Sequence, residues 1–436
     1  MRFFSKIISL SQLTPVQTLS ILCFIEYYTM IRNVLHHCLL LVCLISTNGY
    51  AAKIKSGTWL TRFELAPNVI LPSKFRFENR KSGELIIYNG FELIHLKDIR
   101  QAGDSVIVRF PTFDSELRFL VVDKTHVRGA WYNKAKSDTY HVLFKSVFTD
   151  ELYYPTDPRQ LIKQRKWEVT FDYMGSPEKA IGLFNYPDTN QKCNLLHGTF
   201  LTETGDYRFL SGATVGDSLY LSCFDGSHAF LFRAVLKNDT LWGDFHSGNH
   251  YKTTWMAVPN EGFELSDPDS LTYMVNEKPI SFQLQNIDGT TYIYPNETLN
   301  NKVVLIQLMG TWCPNCLDES NYLKDLYKNY SSDLAIISIT FETQKSLEGK
   351  IEKVKKYKES LDLPFTFLIG GDACKLCAAE IFPQFNNISS FPTLIFIDKK
   401  GQVRKIHTGF SGPGTGQYYT DFVSETNAFV DVLVNE

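Results

Sequence analysis

The stretch Val303–Cys316, VVLIQLMGTWCPNC, decides the fold of the C-terminal part of this chain. Its first seven residues, Val303–Met309, form an apolar run that is typical of a buried strand. A Cys-x-x-Cys pair, Cys313 and Cys316, follows at once, and the helix-like stretch Leu317–Tyr330 comes next. The amides and the dipole at a helix start favour a thiolate over a thiol. The pattern therefore predicts dithiol–disulfide exchange, in which one thiolate attacks a disulfide and its neighbour releases the product.

The composition is that of an ordinary globular protein with room for two or three domains. The chain has 436 residues, of which 44% are hydrophobic, and its net charge is -3. A charge so close to neutral predicts no nucleic-acid partner. The Lys-rich stretch Lys350–Lys358 is interpreted as the solvated face of a helix, because Ile351, Val354 and Tyr357 recur in it at helical spacing.

Residues 1–51 are predicted to be a signal or targeting segment. Met30 is followed by Arg32 and the apolar run 38–45, and a cleavage site of small residues ends at Ala51. The apolar run is too short to span a bilayer. Pro15 interrupts the apolar pattern upstream of this segment, and the true translation start is predicted at Met30. Alternatively, this run and the apolar stretch before Met30 together form a membrane anchor.

The segment predicts export to a periplasm or cell envelope, with at most weak membrane association. Cys43 is the one candidate for lipidation within it. Leu41 and Val42 precede this cysteine where small residues are expected, so lipid anchoring is not predicted.

Removal of the leader leaves six cysteines, and their spacing is unlike that of a disulfide-stapled small domain. Two of the three pairs have Cys-x-x-Cys spacing. Cys193 and Cys223 either pair with each other or are small buried hydrophobic residues. The six are Cys193, Cys223, Cys313, Cys316, Cys374 and Cys377.

The N-terminal half is predicted to be all-β, antiparallel and internally repeated. Short alternating runs are separated by turn signals, and motifs recur at an offset of roughly 110 residues, well beyond solenoid periods. The repeats are placed at 56–150 and 165–257, with a linker over 258–280, and they form two sandwiches, two half-barrels or one larger barrel. Several aspartates are interpreted as turn residues rather than as a carboxylate site. These are Asp104, Asp114, Asp206, Asp217 and Asp225.

From residue 281 to residue 436 strands and helices alternate, which predicts a mixed α/β sheet covered on both faces. The predicted strands are Val303–Met309, Leu334–Thr340, Thr366–Ile369, Leu394–Ile397 and Val403–His407. The predicted helices are Leu317–Tyr330, Thr343–Glu359, Ala378–Phe385 and Asp421–Val434.

This region resembles the thioredoxin-fold domain of the TlpA-like (ResA-type) thiol-disulfide oxidoreductases over about its last 150 residues. The matching elements are Trp312-Cys313-Pro314-Asn315-Cys316, Glu319, Phe341-Glu342 and Phe391-Pro392-Thr393. Cys313, at the helix start, is expected to be the attacking thiolate. Cys316, one turn further, is expected to resolve the mixed disulfide. Trp312 would shield the sulfurs on one side.

Pro392 resembles the cis-proline that faces the cysteines in this family. A cis bond there would expose backbone to an extended substrate strand, with Phe391 and Thr393 as binding residues. A simple proline at a strand start is the alternative. Gly409 opens a glycine-rich loop that is either permissive near the substrate groove or a flexible connector.

Two carboxylates are further candidates for the site. By resemblance, Glu319 tunes the pKa of the resolving thiol or moves its proton, the alternative being an ordinary surface carboxylate. Glu342 ends the neighbouring strand, so its side chain is expected to reach the same rim of the sheet.

Cys374 and Cys377 follow another parallel strand and are expected on that rim as well. They are interpreted as a structural or auxiliary disulfide, with an electron relay as the alternative. A zinc site shared with Cys313 and Cys316 is not predicted, since two strand spacings separate the loops by about 10 Å. Neither a metal nor another cofactor is predicted.

The resemblance implies an exported enzyme that reduces protein disulfides and is recharged by a membrane electron donor, such as a thiol-reducing transporter. A peroxiredoxin-like enzyme is one alternative, but Gly310 stands where it would need Thr or Ser. The other is a non-catalytic envelope binding protein that uses the domain as a scaffold. Thr393 stands where proteins dedicated to cytochrome maturation carry a glutamate, which disfavours that task.

Overall fold

The structure is a computed structural model that describes residues 54–78, 83–155, 161–162, 165–186 and 194–436. The predicted targeting segment and Cys193 lie outside these residues. Within the described ranges, no helix combines the length and the apolar character that a membrane crossing requires.

The first part of the described chain forms a nine-stranded antiparallel sheet in the order β4-β3-β2-β1-β9-β8-β7-β6-β5. Its strands are β1 (Gly57–Ala66), β2 (Val69–Glu78), β3 (Glu84–Asn89), β4 (Glu92–Leu96), β5 (Asp98–Ala102), β6 (Ser105–Arg109), β7 (Ser115–Val121), β8 (His126–Asn133) and β9 (His141–Phe148). Only Lys97 separates β4 from β5, the two outer strands. The sheet therefore curls round into an almost closed barrel, here called the first barrel.

A second antiparallel sheet follows and closes completely. Its strands are β10 (Lys166–Phe171), β11 (Glu178–Asn185), β12 (Leu195–Thr202), β13 (Gly205–Asp206), β14 (Leu210–Val215), β15 (Ser218–Phe224), β16 (Ala229–Lys237), β17 (Thr240–Ser247) and β18 (Tyr251–Pro259). Pairing of β11 with β12 joins eight of these strands into a ring, the second barrel, to which the short β13 is attached. The N-terminal half is thus all-β and antiparallel as predicted, and its sheets are barrel-like.

The two barrels share details at equivalent strands. Trp59 and Trp167 occupy the first strand of each and are almost completely buried. Gly129 and Gly243 occupy β8 and β17, where an added Cβ would lie 2.1 Å and 2.0 Å from a carbonyl oxygen of the neighbouring strand. Only glycine permits so close an approach of two strands.

The C-terminal part is a seven-stranded mixed sheet with helices on it, and the order of its strands is β20-β19-β23-β22-β21-β24-β25. Its strands are β19 (Phe282–Asn286), β20 (Thr291–Tyr294), β21 (Val303–Met309), β22 (Leu334–Glu342), β23 (Thr366–Asp372), β24 (Thr393–Ile397) and β25 (Val403–Thr408). Its helices are α1 (Pro314–Tyr330), α2 (Leu347–Leu361), α3 (Lys375–Ile381) and α4 (Gln417–Asn435). The central strands β21, β22 and β23 are parallel, whereas β24 and β25 are antiparallel. This is the thioredoxin-like fold that the sequence predicted.

The central strand of this sheet explains the position of the site. Every residue of Val303–Met309 is buried, because the strand has neighbours on both sides and helices on both faces. The chain leaves it at Gly310 and enters α1 four residues later. The Cys-x-x-Cys motif is therefore fixed at the carboxyl edge of a rigid core.

Candidate active site

Cys313 caps the N-terminus of α1 with its own side chain. Its sulfur accepts a hydrogen bond from the Cys316 amide over 3.2 Å, and Pro314 occupies the first turn. Both cysteines are unbridged; Cys313 is 7% exposed and Cys316 is fully buried. The amide hydrogen bond fixes the Cys313 sulfur at the start of α1, with the second cysteine one turn further along the helix.

The Phe391–Pro392 peptide bond is cis, and it faces the cysteines. The Cys313 thiol lies 3.6 Å from the carbonyl oxygen of Phe391, to which it donates. The Gly409 amide donates to the Pro392 carbonyl over 2.9 Å, so Gly409 also belongs to this loop cluster. Thr393 is buried, and its hydroxyl donates to the Ser390 carbonyl over 2.9 Å. Thr393 thus holds the loop and does not face the groove.

Trp312 lies between the motif and the neighbouring strand. Its indole N–H donates to the Phe341 carbonyl over 2.9 Å, and its ring meets Phe391 edge-on at 6.3 Å. Phe341 stacks on Phe391 at 5.1 Å. Three aromatic rings therefore pack together next to the motif and the cis-proline loop.

Glu319 is a buried carboxyl group on the same helix as the cysteines. It accepts a hydrogen bond from the Gln307 amide over 2.8 Å, whereas its other oxygen has no partner. Burial raises the pKa of Glu319 to about 8. Burial also raises the pKa of Cys316 well above its usual range, with the Cys313 hydrogen bond and the charge of Glu319 acting in the same direction. The Cys316 thiol is thus kept protonated, and Glu319 contributes to this effect.

Glu319→Gln is expected to flatten part of the pH dependence of stability. The folded-state pKa of about 8 lies above the ordinary value of 4.5, so folding favours the protonated form. The stability of the wild type then falls as the pH rises through that window, while glutamine does not titrate. Urea unfolding between pH 4 and pH 9 should show the free energy of unfolding of the wild type falling relative to that of Glu319→Gln as the pH rises. Parallel curves for the two proteins would refute the assignment.

The side chain of Glu342 binds the chain just before the Cys-x-x-Cys motif. Its carboxylate accepts the Thr311 amide over 2.9 Å and the Thr311 hydroxyl over 2.6 Å. Burial raises the pKa of Glu342 to about 7, against the lowering effect of these bonds. Its oxygens hold the loop between β21 and α1, so Glu342 acts on the cysteines through Thr311.

Cys374 and Cys377 form a disulfide at the start of α3. Both are half-buried, and Leu376 between them is 78% exposed. The Ala373 amide donates to the Glu342 carbonyl over 2.9 Å, which places the pair beside the end of β22. The structure thus brings this second pair to the rim that carries Cys313.

The double variant Cys374→Ser with Cys377→Ser should lose little stability. The bridge joins residues three apart, and so short a loop contributes roughly 2 kcal/mol or less through chain entropy. Urea unfolding of the variant and the wild type measures the loss. A much larger loss would show that the bridge holds the rim together by packing.

Sequence reasoning missed the contacts that the barrels make with the motif. From the second barrel, Arg208 donates to the Pro314 carbonyl over 3.0 Å and to the Asp318 carboxylate over 2.5 Å. The Ser227 hydroxyl donates to the Trp312 carbonyl over 3.1 Å. The β half of the chain therefore binds the residues on both sides of Cys313. The partners in each bond are more than eighty positions apart in sequence, so no local pattern predicts the contact.

Arg208 is the centre of a buried charge cluster. It is 5% exposed and lies against Glu92 of the first barrel, Asp225 of the second and Asp318 of α1. Burial raises the pKa of Asp318 to about 7, although Arg208 lowers it. Asp225 was predicted to be a turn residue, and it does accept the Ser227 and His228 amides at 2.8 Å and 2.6 Å. It also completes the anionic surroundings of Arg208.

Comparison with known proteins agrees with this geometry. Residues 275–406 match the AhpC/TSA family. The thioredoxin-like protein YneN of Bacillus subtilis (strain 168) is 31% identical over 108 residues, which are 25% of this chain and 57% of that protein. The thiol-disulfide oxidoreductase ResA of Geobacillus thermodenitrificans (strain NG80-2) is 30% identical over 129 residues, 29% of this chain and 66% of that protein. The thiol:disulfide interchange protein DsbE of Escherichia coli (strain K12) is 24% identical over 162 residues, 36% and 78% of the two chains.

Solved structures also match. A thioredoxin-family thiol:disulfide interchange protein from Chlorobium tepidum TLS has a TM-score of 0.29 at 18% identity, covering 37% of this chain and 99% of that one. This chain spans under two thirds of the length of YneN and of ResA. The predicted resemblance of the C-terminal region to ResA-type oxidoreductases is confirmed, and the class of enzyme that the motif predicted agrees with these names.

Proposed function

We propose that this protein reduces disulfide bonds in protein substrates by dithiol–disulfide exchange through Cys313 and Cys316. One observation carries the proposal. The Cys313 sulfur accepts the Cys316 amide at a helix start and lies 3.6 Å from the carbonyl of a cis Phe391–Pro392 bond. A cysteine at a helix start, a second thiol within reach and a cis-proline loop beside them are the parts that this reaction needs.

The reaction runs in two exchange steps. The Cys313 thiolate attacks one sulfur of the substrate disulfide, which forms a mixed disulfide and releases the first substrate thiolate. Cys316 then loses its proton to Glu319 and attacks the Cys313 sulfur, which releases the second substrate thiolate. The substrate gains two electrons, and the enzyme is left with a Cys313–Cys316 disulfide. A dithiol donor must reduce that bond, and a thiol-reducing transporter in the membrane is the proposed donor.

The remaining site residues have positioning roles in this scheme. Glu342 fixes the loop before the motif through Thr311. Trp312 and Phe391 keep water from one side of the sulfurs. Gly409 holds the cis-proline loop through the Pro392 carbonyl. The proposed place of action is the periplasm or cell envelope, on the strength of the leader-like segment in residues 1–51.

The two alternatives have less support. A peroxiredoxin-like enzyme would use a hydroxyl near a lone reactive cysteine, but the Thr311 hydroxyl is bonded to Glu342 and Gly310 precedes it. A scaffold would require neither a capped cysteine pair nor a cis bond opposite it. Both features are present.

The test is the reduction of a short peptide disulfide by the full chain, with dithiothreitol as the electron source. Catalysis well above the rate of dithiothreitol alone is expected, with a mixed disulfide on Cys313 identified by mass spectrometry. A rate equal to the uncatalysed one, with no adduct on either cysteine, would overturn the proposal.

A further inference from the structure

A turn of the second barrel lies against the cis-proline loop. It consists of Glu203, Thr204 and Gly205, joins β12 to β13, and is here called the 203–205 turn. The Ser390 hydroxyl donates to the Thr204 carbonyl over 3.2 Å. A Cβ built on Gly409 would lie 2.9–3.1 Å from backbone atoms of Thr204. The turn thus packs backbone against backbone on the loop that carries Pro392.

The other side of the same turn reaches the start of α1. A Cβ built on Gly205 would lie 2.8 Å from the side-chain nitrogen of Asn315, inside the Cys-x-x-Cys motif. Next to it, the Asp206 carboxylate accepts the Gly412 amide over 2.5 Å. The turn therefore bridges the two walls of the groove, the cis-proline loop and the first turn of the catalytic helix.

The groove beside this turn is largely buried. Pro392 is buried, Phe391 is 9% exposed and Cys313 is 7% exposed. An extended substrate would dock by laying its own backbone along the cis-proline loop, in the manner of an added strand. The backbone of Thr204 already lies against Ser390 and Gly409 of this loop cluster, which is space that such a strand would need.

We propose that the 203–205 turn determines the substrate class of this site. Disulfides on short or flexible peptide segments can reach the Cys313 sulfur end-on and exchange with it. Disulfides held in folded proteins cannot, because the turn blocks their approach. This inference rests on the proposed function and narrows it. The turn is well anchored for such a role, because Arg208, two residues beyond Asp206, binds the Pro314 carbonyl.

Both barrels make further contacts near the site. Ser227 holds the Trp312 carbonyl. On α2, Lys353 donates to the Thr112 carbonyl of the first barrel over 2.8 Å. Both barrels thus contact the thioredoxin-like domain near the site, and the 203–205 turn is the part that contacts the cis-proline loop.

The experiment displaces the turn in the full chain with Gly205→Leu. A leucine there meets the Asn315 side chain and is strained at the φ of +150° that Gly205 adopts, so the turn must change its conformation. The matched control is Gly216→Leu, at a turn of the same barrel with positive φ and no atom within 4 Å of an added Cβ. Per-disulfide rates are measured for a short flexible peptide disulfide and for folded insulin.

We expect the wild type and Gly216→Leu to favour the peptide strongly. Gly205→Leu should raise the insulin rate by about ten-fold or more while the peptide rate changes by less than about two-fold. Asp206→Ala, which loosens the same turn, should act in the same direction if Gly205→Leu does not fold. Equal rates for both substrates in the wild type, or a Gly205→Leu profile like that of Gly216→Leu, would overturn the inference.

Failure of the proposed function gives a different result. If neither the wild type nor any variant reduces the peptide, the proposed function is wrong. The role of the turn is then tested separately, by the rate at which Cys313 is alkylated. Iodoacetamide should react at similar rates in all variants, whereas a maleimide carried on a folded protein should react faster with Gly205→Leu. Equal reaction of that reagent with wild type and variant would refute the role of the turn.

Discussion

Cys313→Ser is expected to lower the rate of disulfide reduction by roughly three orders of magnitude or more, to the background of the added reductant. The reason is chemical, because a hydroxyl at the helix start is not ionised and cannot form the mixed disulfide. The peptide assay described above measures the loss. Cys223→Ser is the matched control, since Cys223 is also a free buried thiol but lies in the second barrel.

Cys316→Ser should behave differently from Cys313→Ser. The first exchange step remains possible, so the variant should accumulate a covalent adduct between Cys313 and the substrate. Mass spectrometry of the trapped species identifies the cysteine. If Cys313→Ser kept its activity, or if the adduct formed on Cys374 or Cys377 instead, the assigned roles of the two cysteines would be wrong.

Arg208→Ala is expected to cost about 3–5 kcal/mol in the free energy of unfolding, since it leaves buried carboxylates without their partner. Glu92, Asp225 and Asp318 come from three different parts of the chain and meet at this guanidinium. The same substitution removes the bond to the Pro314 carbonyl, so the activity should fall together with the stability. Urea unfolding measures the cost.

The control for this prediction is Arg76→Ala. Arg76 pairs with Glu78 over 2.7 Å, but its side chain is 48% exposed, so no measurable loss is expected. A comparable cost for the two substitutions would show that the Arg208 cluster stabilises the protein no more than a surface pair does. Arg208→Lys should recover only part of the loss, because an ammonium group cannot reach several acceptors in a plane.

Local signals made much of the C-terminal domain predictable. The strand Val303–Met309 has the predicted bounds, because a run that is apolar except for Gln307 is typical of a strand buried on both faces. The polar residues Asp398-Lys399-Lys400-Gly401 between β24 and β25 are typical of a hairpin turn, and the Gly401 amide donates to the Asp398 carbonyl. The helix α1 begins at Pro314, three residues before the predicted Leu317, because the Cys313 sulfur caps its N-terminus.

Tertiary contacts were less accessible. The sequence does not decide whether Glu319 tunes the pKa of the resolving thiol or lies at the surface, because one carboxylate on a helix does not reveal what packs on that face. The structure buries it completely against Gln307. The contacts of Arg208 join segments 106 to 116 residues apart, and only the docking of the barrels creates them. Asp206 and Asp225 are turn residues by their local bonds and site neighbours by their place in the fold.

The closure of the second barrel limits how it can meet another protein. All eight strands of its ring have a neighbour on each side in the described residues. An unpaired strand edge is the usual template on which chains polymerise or recruit an extended ligand. That ring offers none along its wall, so a protein that recognises this half of the molecule must read side chains and loops, and self-association by strand addition is barred there.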